Sequence, residues 1–326
     1  MQTNLHVMTT YILFIIGFFL LIKGADLLVD GSASIAKKLK ISSIVIGLTI
    51  VAFGTSAPEF IVNIFASVQG NSEIAIGNIL GSNIANILLI LGISAIIYPV
   101  AAKKNTVLKE IPFSLLAILI LGLMANDRII DGGTFSGLTR IDGLVLIAFL
   151  IIFLYYTFGI TKSADDIVEQ DEIKVFSYSK ATLFIILGLA GLVIGGKWIV
   201  DGAVKIAELY NVGQSLIGLT IVAIGTSLPE LATSAVAAYK KQSDIAIGNV
   251  VGSNIFNIFW ILGASAIIRP LPFSTSLNGD IVMTIFASVL LFLVMFVGQK
   301  RVIEKWQGVF MVTAYVAYVV YLVLTK

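Results

Sequence analysis

The chain has 326 residues, 58% of them hydrophobic and only 12% charged, with a net charge of +2 and a mean hydropathy of +1.02. A soluble domain covers its surface with about a quarter charged residues, so water is not the main solvent of this chain, and so weak and dispersed a positive charge leaves no footprint for nucleic acid. The absence of cysteine excludes disulfides, thiolate chemistry and Cys-ligated zinc, and the single histidine, His6, sits in a polar tail with no second histidine to share a metal.

About 30 Å of hydrocarbon needs about 20 apolar residues in a helix. Apolar stretches of that order predict ten spans, at about 11–30, 42–69, 74–98, 111–126, 142–160, 181–201, 213–239, 245–268, 279–299 and 306–325. Residues 1–10 carry no Lys or Arg, so the positive region of a cleavable signal is missing and 11–30 reads as a first transmembrane helix. The joining segments are short except 161–180, whose Asp165, Asp166, Glu169, Asp171 and Glu172 read as a solvated acidic linker. Alternate loops divide the basic residues unevenly: one set holds fourteen Lys and Arg, the other, with span ends and the C-terminus, six. The richer side is expected to be cytoplasmic. Both termini then face outside and the 161–180 linker faces the cytoplasm. Tyr98, Tyr155, Tyr156, Tyr178 and Trp306 fall near cytoplasmic span ends, where an aromatic belt belongs.

The strongest feature is self-similarity. Residues 47–92 align without a gap to 218–263 at a constant offset of 171, with 27 of 46 positions identical. Composition can make two greasy spans look alike, but it cannot place Gly, Thr, Ser, Pro, Glu and Asn at matching positions. Each half holds five spans, an odd number, so the second half enters the membrane the other way round. The expected fold is an all-α membrane protein of ten transmembrane helices arranged as two inverted five-helix repeats, 1–160 and 181–326, with helices 2 and 7 broken. That architecture suits a secondary transporter that alternates access around a midplane site.

The second span carries Gly54, Thr55, Ser56, Pro58 and Glu59, and the seventh carries Gly225, Thr226, Ser227, Pro229 and Glu230. Proline removes a backbone donor and clashes with the preceding turn, so each helix is expected to break here. A break frees carbonyls, the candidates being those of Ala52 and Ala223, and these are hard oxygen ligands. Asn78, Ser82 and Asn86 recur at i, i+4 and i+8 on one helix face, and Asn249, Ser253 and Asn257 repeat them. Gly77, Gly81, Asn78 and their mates read as packing residues of the small-xxx-small kind; Ser82, Asn86, Ser253 and Asn257 read as ligands. All four motifs fall near the middle of their spans. Two carboxylates at that depth cost on the order of 3 kcal/mol each, and no basic residue recurs in both halves to pair with them. The natural counter-charge is a bound cation. An all-oxygen ligand set without His or Cys disfavours soft metals, and Mg²⁺ tends to keep its waters. Two carboxylates balance one Ca²⁺, and the Thr, Ser and Asn oxygens supply further Na⁺ sites. If three Na⁺ replaced one Ca²⁺, transport would respond to voltage.

With its doubled GTSxPE…GNxxGSNxxN signature and ten spans, the chain resembles the sodium/calcium exchanger branch of the cation/Ca²⁺ exchanger superfamily, and its short central loop is similar to the prokaryotic type. The resemblance implies ion ligation by Thr55, Ser56, Glu59, Ser82 and Asn86 from one half and Thr226, Ser227, Glu230, Ser253 and Asn257 from the other, with the carbonyls of Ala52 and Ala223. It implies Ca²⁺ held by the two Glu and two Thr, Na⁺ at flanking groups, and first and sixth spans that slide to switch access. Asn257 stands where some archaeal exchangers and K⁺-dependent relatives have an acid. Ca²⁺ and Na⁺ are then transported substrates, no organic cofactor or enzyme activity is implied, and a monomer in a prokaryotic inner membrane is the expected state. Ca²⁺/H⁺ exchange by the same glutamate pair is the alternative, since protons can displace Ca²⁺ from carboxylates. An intramembrane hydrolase lacks support, because neither HExxH nor GxSxG occurs; a passive channel is separated from a carrier by its lack of a counter-ion requirement.

Overall fold

A computed structural model of the chain describes residues 2–132, 135–160, 174–209 and 223–325, with side chains over 9–132, 135–159, 174–207 and 224–324. The protein is a multi-pass integral membrane protein and is mostly helical. Its helices include α1 (Gln2–Leu39), α2 (Ser43–Thr55), α3 (Ala57–Gln69), α4 (Ser72–Ile97), α5 (Thr106–Ala125), α6 (Arg140–Ile160), α7 (Tyr178–Leu209), α8 (Ala223–Thr226), α9 (Leu228–Tyr239), α10 (Ser243–Ile268), α11 (Thr275–Val294) and α12 (Lys305–Thr325), with a single further turn at Asp127–Ile130. Among the described residues, eight helices are long and apolar enough to cross a membrane, or nine if α2 and α3, bent by 47° at Ser56, count as one span. The predicted seventh span, 213–239, is described only from Ala223, and His6 and most of the 161–180 linker lie outside the described side chains.

Several boundaries differ from those predicted. The first span was expected at 11–30, yet α1 runs 38 residues, because hydropathy marks where lipid begins and not where backbone hydrogen bonding stops. It ends only at Lys40, whose φ of 52° cannot continue a helix. Likewise α7 outruns the predicted 181–201 at both ends, and α5 begins at Thr106 instead of 111. Four short strands carry no hydropathy signal at all. β1 (Val100–Ala101) pairs antiparallel with β4 (Val302–Ile303), and β2 (Gly137–Leu138) with β3 (Leu271–Pro272). β1 and β3 are separated by the repeat offset, so each half hands the same short strand to the other.

Burial singles out two helices. The most apolar stretches of α4 and α10 are 78% buried, against 17–39% in the other candidate spans, so these two form the centre of the bundle. They carry the predicted polar ridges. At Ser56 (φ −77°, ψ 6°) and Ser227 (φ −89°, ψ 6°) the backbone leaves helical geometry in the same way, two residues before Pro58 and Pro229. Neither proline can donate to the turn behind it, and each instead starts the next helix, where a missing N–H costs nothing. The C-terminal caps repeat as well. Gly70 (φ 82°) and Lys241 (φ 58°) each turn left-handed, and the following N–H of Asn71 or Gln242 returns to the carbonyl of Ala66 or Ala237.

α1 and α7 pack on each other along their length through a glycine heptad that composition alone does not reveal. A methyl added to Gly17 would lie 2.9 Å from the Gly195 carbonyl oxygen, one on Gly24 2.8 Å from that of Gly188, and one on Gly31 2.7 Å from that of Ala181. Residue numbers rise on α1 as they fall on α7, so the two helices run antiparallel. Gly17, Gly24 and Gly31 stand 171 residues before Gly188, Gly195 and Gly202. Without side chains between them the backbones touch, which is how membrane helices associate when lipid removes the hydrophobic drive. α1 is also tied to the end of α9, where Lys240 Nζ lies 2.5 Å from Asp26 Oδ1 and 2.6 Å from Asp30 Oδ1. Replacing Gly24 with Leu should force α1 and α7 apart and destabilise the protein by about 3 kcal/mol or more. Gly279→Ala meets nothing within 4 Å and should be neutral or slightly stabilising. Thermal unfolding of the two purified variants in detergent checks the contrast; equal melting temperatures would show that the heptad is not a tight seam.

Candidate functional site

Because Pro58 and Pro229 open new helices, Glu59 and Glu230 fall in the first turns of α3 and α9. That end of a helix carries partial positive charge and unpaired N–H groups, which favour a carboxylate. Both side chains are fully buried. Each is held by hydroxyls from both halves. Glu59 Oε1 accepts from Ser227 Oγ at 3.1 Å and Ser82 Oγ at 3.4 Å. Glu230 Oε1 accepts from Ser56 Oγ at 3.1 Å and Ser253 Oγ at 3.4 Å. Every one of these bonds has its mate at the repeat offset. Thr226 lies beside Glu59, and Thr55 beside Glu230.

On the central helices the amides interlock. Asn86 Nδ2 donates to Asn254 Oδ1, and Asn257 Nδ2 donates to Asn83 Oδ1, both at 2.9 Å. Asn257 Nδ2 also reaches Ser82 Oγ at 3.2 Å. The helices widen to π-helical turns at Ala85–Leu91 and Asn257–Leu262, a local geometry frequent at functional sites. The ten predicted side chains of the site are therefore gathered into one buried region. Of the two predicted carbonyls, that of Ala52 is less free than expected. It accepts the Ser56 N–H at 3.0 Å, because the helix holds one residue past Thr55 before it breaks. In the second half Ser227 N–H bonds instead to the Ile224 carbonyl at 3.1 Å; Ala223 begins α8, and the residues before it lie outside the described ones.

Sequence reasoning underrated one residue and passed over two. Asn249 was expected to serve packing, yet it is fully buried and hydrogen-bonded to the site. It accepts from Thr55 Oγ1 at 3.0 Å and donates to Ser234 Oγ at 2.9 Å and to the Glu230 carbonyl at 3.3 Å. Asn83 and Asn254 drew no attention, although they belong to the repeated GSN motif and that repetition was a signal for them.

Among the described residues, the buried oxygens of this region that receive no hydrogen bond include Glu59 Oε2, Glu230 Oε2, Asn86 Oδ1 and Asn257 Oδ1. A buried acceptor without a donor costs about 1–3 kcal/mol, and more when charged. Among the described residues neither glutamate has an ion-pair partner, and no group of three or more His, Cys, Asp or Glu occurs. What the arrangement offers is two negative charges and a shell of hard neutral oxygens, fitted to alkali or alkaline-earth cations. Over residues 9–159 and 180–324 the chain matches the sequence profile of the family described as sodium/calcium exchanger protein. The chain belongs to that family. Among its relatives are the sodium/calcium exchanger MaX1 of Methanosarcina acetivorans, 33% identical over 96% of this chain and 98% of that one, and CaxA of Alkalimonas amylolytica, 38% identical over 93% and 95%. The solved structure of the sodium-calcium exchanger NCX_Mj soaked with 10 mM Na⁺ and zero Ca²⁺ superposes with a TM-score of 0.83 at 35% identity, covering 96% of this chain and 99% of that one.

In this exchanger-family chain the bend of α2–α3 is braced from α10. The Trp260 ring stacks on Phe53 at 4.5 Å and on Phe60 at 4.3 Å, one ring from each side of Ser56. Position 89, its repeat mate, is Leu, so only one half has the brace. Trp260→Ala should destabilise the protein by about 3 kcal/mol, whereas Trp260→Phe, which keeps a ring in the sandwich, should lose less than half of that. Thermal melts of both variants decide it; equal losses would mean that stacking across the bend contributes nothing.

Proposed function

We propose that the chain exchanges Na⁺ for Ca²⁺ by alternating access, and that Glu59, Glu230, Thr55, Thr226, Ser56, Ser227, Ser82, Ser253, Asn86, Asn257 and the carbonyls of Ala52 and Ala223 hold the ions in turn. The single observation that carries this is the set of four buried, donorless oxygens, two of them carboxylate oxygens, with no ion-pair partner for either glutamate among the described residues. The two glutamates and two threonines take Ca²⁺, and the remaining hydroxyls and amides take Na⁺. Protons would need none of these neutral oxygens, which favours Na⁺ over H⁺ as the coupling ion. The relatives point the same way: MaX1 and NCX_Mj are both named as exchangers of sodium and calcium.

The same proposal gives the chain two inverted halves of five spans, 1–160 and 181–326, joined by the acidic 161–180 linker on the cytoplasmic side. It places the chain as a monomer in a prokaryotic inner membrane with both termini outside. The antiparallel run of α1 and α7, corresponding helices of the two halves, supports the inversion. So do the reciprocal strand pairs, which join the same part of each half to the other. Exchange of several Na⁺ for one Ca²⁺ would move net charge and respond to voltage.

The deciding experiment is ⁴⁵Ca²⁺ uptake into proteoliposomes with Na⁺, K⁺ and H⁺ gradients imposed one at a time. A Na⁺ gradient at clamped pH should drive uptake; uptake driven by a pH gradient alone would assign the chain to Ca²⁺/H⁺ exchange instead. Glu59→Gln and Glu230→Gln should each reduce Ca²⁺ transport at least about 100-fold, since uncoupling one partner of a buried charge interaction costs roughly 3–5 kcal/mol. In cation-free buffer each variant should melt no lower than the parent, because a buried charge has been removed. The parent should gain stability as Ca²⁺ rises, by about 2.7 kcal/mol at 100 times its dissociation constant, and the variants should not. Asn257→Asp should alter cation affinity and bring in a dependence on pH. Indifference of flux to both would remove Asn257 from the ligand set.

A further inference from the structure

We propose that Asn83 and Asn254 are positioning residues that fix which end of the Asn257 and Asn86 amides faces the ion; this rests on the ion site proposed above. A carboxamide has an acceptor end and a donor end of nearly the same shape. Turned one way it offers a cation an oxygen, and turned the other way it offers an NH₂ that repels it. Nothing in the covalent structure chooses between the two. The choice falls to whatever the far end of the amide bonds.

Here the far ends are specified. Asn257 Nδ2 is taken by Asn83 Oδ1 and Asn86 Nδ2 by Asn254 Oδ1, both at 2.9 Å, which leaves Asn257 Oδ1 and Asn86 Oδ1 without a donor. The positioning amides are themselves fixed, and by main chain. Asn83 Nδ2 donates to the Asn254 carbonyl at 3.3 Å, and Asn254 Nδ2 donates to the Asn83 carbonyl at 3.5 Å. With their NH₂ groups committed there, both must present Oδ1 to the neighbouring amide. The chain of cause runs from a backbone carbonyl in one half, through an amide in the other, to the ligand. It crosses between α4 and α10, so each half orients the other half's oxygen. All four side chains are at most 2% exposed, and water cannot substitute for the missing partner from the surface.

The test is the apparent affinity for Ca²⁺ and Na⁺ in reconstituted flux, together with cation-induced thermal stabilisation of the purified protein. Asn83→Ala should weaken cation affinity about tenfold, the worth of roughly one buried hydrogen bond, with the maximal rate changed less than about twofold. A carboxylate presents an oxygen whichever way it turns. In an Asn257→Asp background the same Asn83→Ala change should therefore cost less than about twofold in affinity. If Asn83 merely fills space, the loss will be equal in both backgrounds, and the assignment is wrong; unchanged affinity in the single variant overturns it as well. Should Asn83→Ala yield no folded protein, Asn254→Ala poses the same question with Asn86→Asp as its second background. Failure of the parent to exchange Ca²⁺ for Na⁺ would sink the proposed function and leave the positioning role still readable from Ca²⁺- and Na⁺-induced stabilisation.

Discussion

Two fully buried carboxylates in a membrane protein, with no ion-pair partner among the described residues, are the constraint on which the rest of the structure depends. Taking one such charge out of water costs several kcal/mol even after relaxation. The protein meets part of this with fixed dipoles. Each glutamate sits in the first turn of a helix, the end that carries partial positive charge, and each receives two hydroxyl hydrogen bonds. Those bonds all land on Oε1. The other oxygen of each carboxylate receives no hydrogen bond among the described residues. Half of each anion is thus solvated by protein and half is reserved. The prolines belong to the same constraint, since without them there would be no helix start at this depth to receive the charge.

Duplication is what makes this construction economical in sequence. One stretch of about 46 residues, written twice, supplies every hydroxyl and amide of the site. The bonds are not made within a copy, however. Ser56 serves Glu230 and Ser227 serves Glu59; Asn83 serves Asn257 and Asn254 serves Asn86. Neither half can build its carboxylate environment alone, so the site reports on correct assembly of both. The exact pairing also breaks where it can be afforded. Trp260 corresponds to Leu89 at the repeat offset, and Lys240 to Gln69, so the brace and the ion pair that flank the symmetric core are each one-sided.

How far the sequence could be read depended on what each signal measures. The paired GTSxPE and GSNxxN motifs led to ten side chains that the structure does bring together, because polar identities at a fixed offset in greasy helices have no compositional explanation. Hydropathy located the helices but misjudged the lengths of α1, α7 and α5, since it registers lipid contact while helices continue until a residue such as Lys40 turns left-handed. The short strands escaped because two-residue pairings need no periodicity. The Ala52 carbonyl keeps one helical hydrogen bond; proline position tells which N–H is lost but not how far the preceding helix holds its own bonds. Asn83, Asn254 and Asn249 were hidden for another reason. They act on other side chains across the bundle, and a helical wheel of one span cannot show what the opposite half presents to it.

The same constraint bears on why such a site should exchange ions and not leak them. In the proposed exchange, access would switch only while the carboxylates are sealed from both aqueous phases, and in that sealed state the low dielectric would make their charge most costly. An empty site would have to carry two uncompensated charges through closure. A site holding one Ca²⁺, or enough Na⁺ to cancel the same charge, would close without that penalty. Proton loading would relieve it too, but would leave Asn86 Oδ1 and Asn257 Oδ1 as bare acceptors, since two carboxylic acids bring only two hydrogens for four oxygens. Coupling, on this view, needs no separate device. It follows from placing a charge where only a full complement of cations makes it tolerable to close the door behind them, and from orienting the neutral oxygens so that Na⁺ can supply that complement as well as Ca²⁺ does.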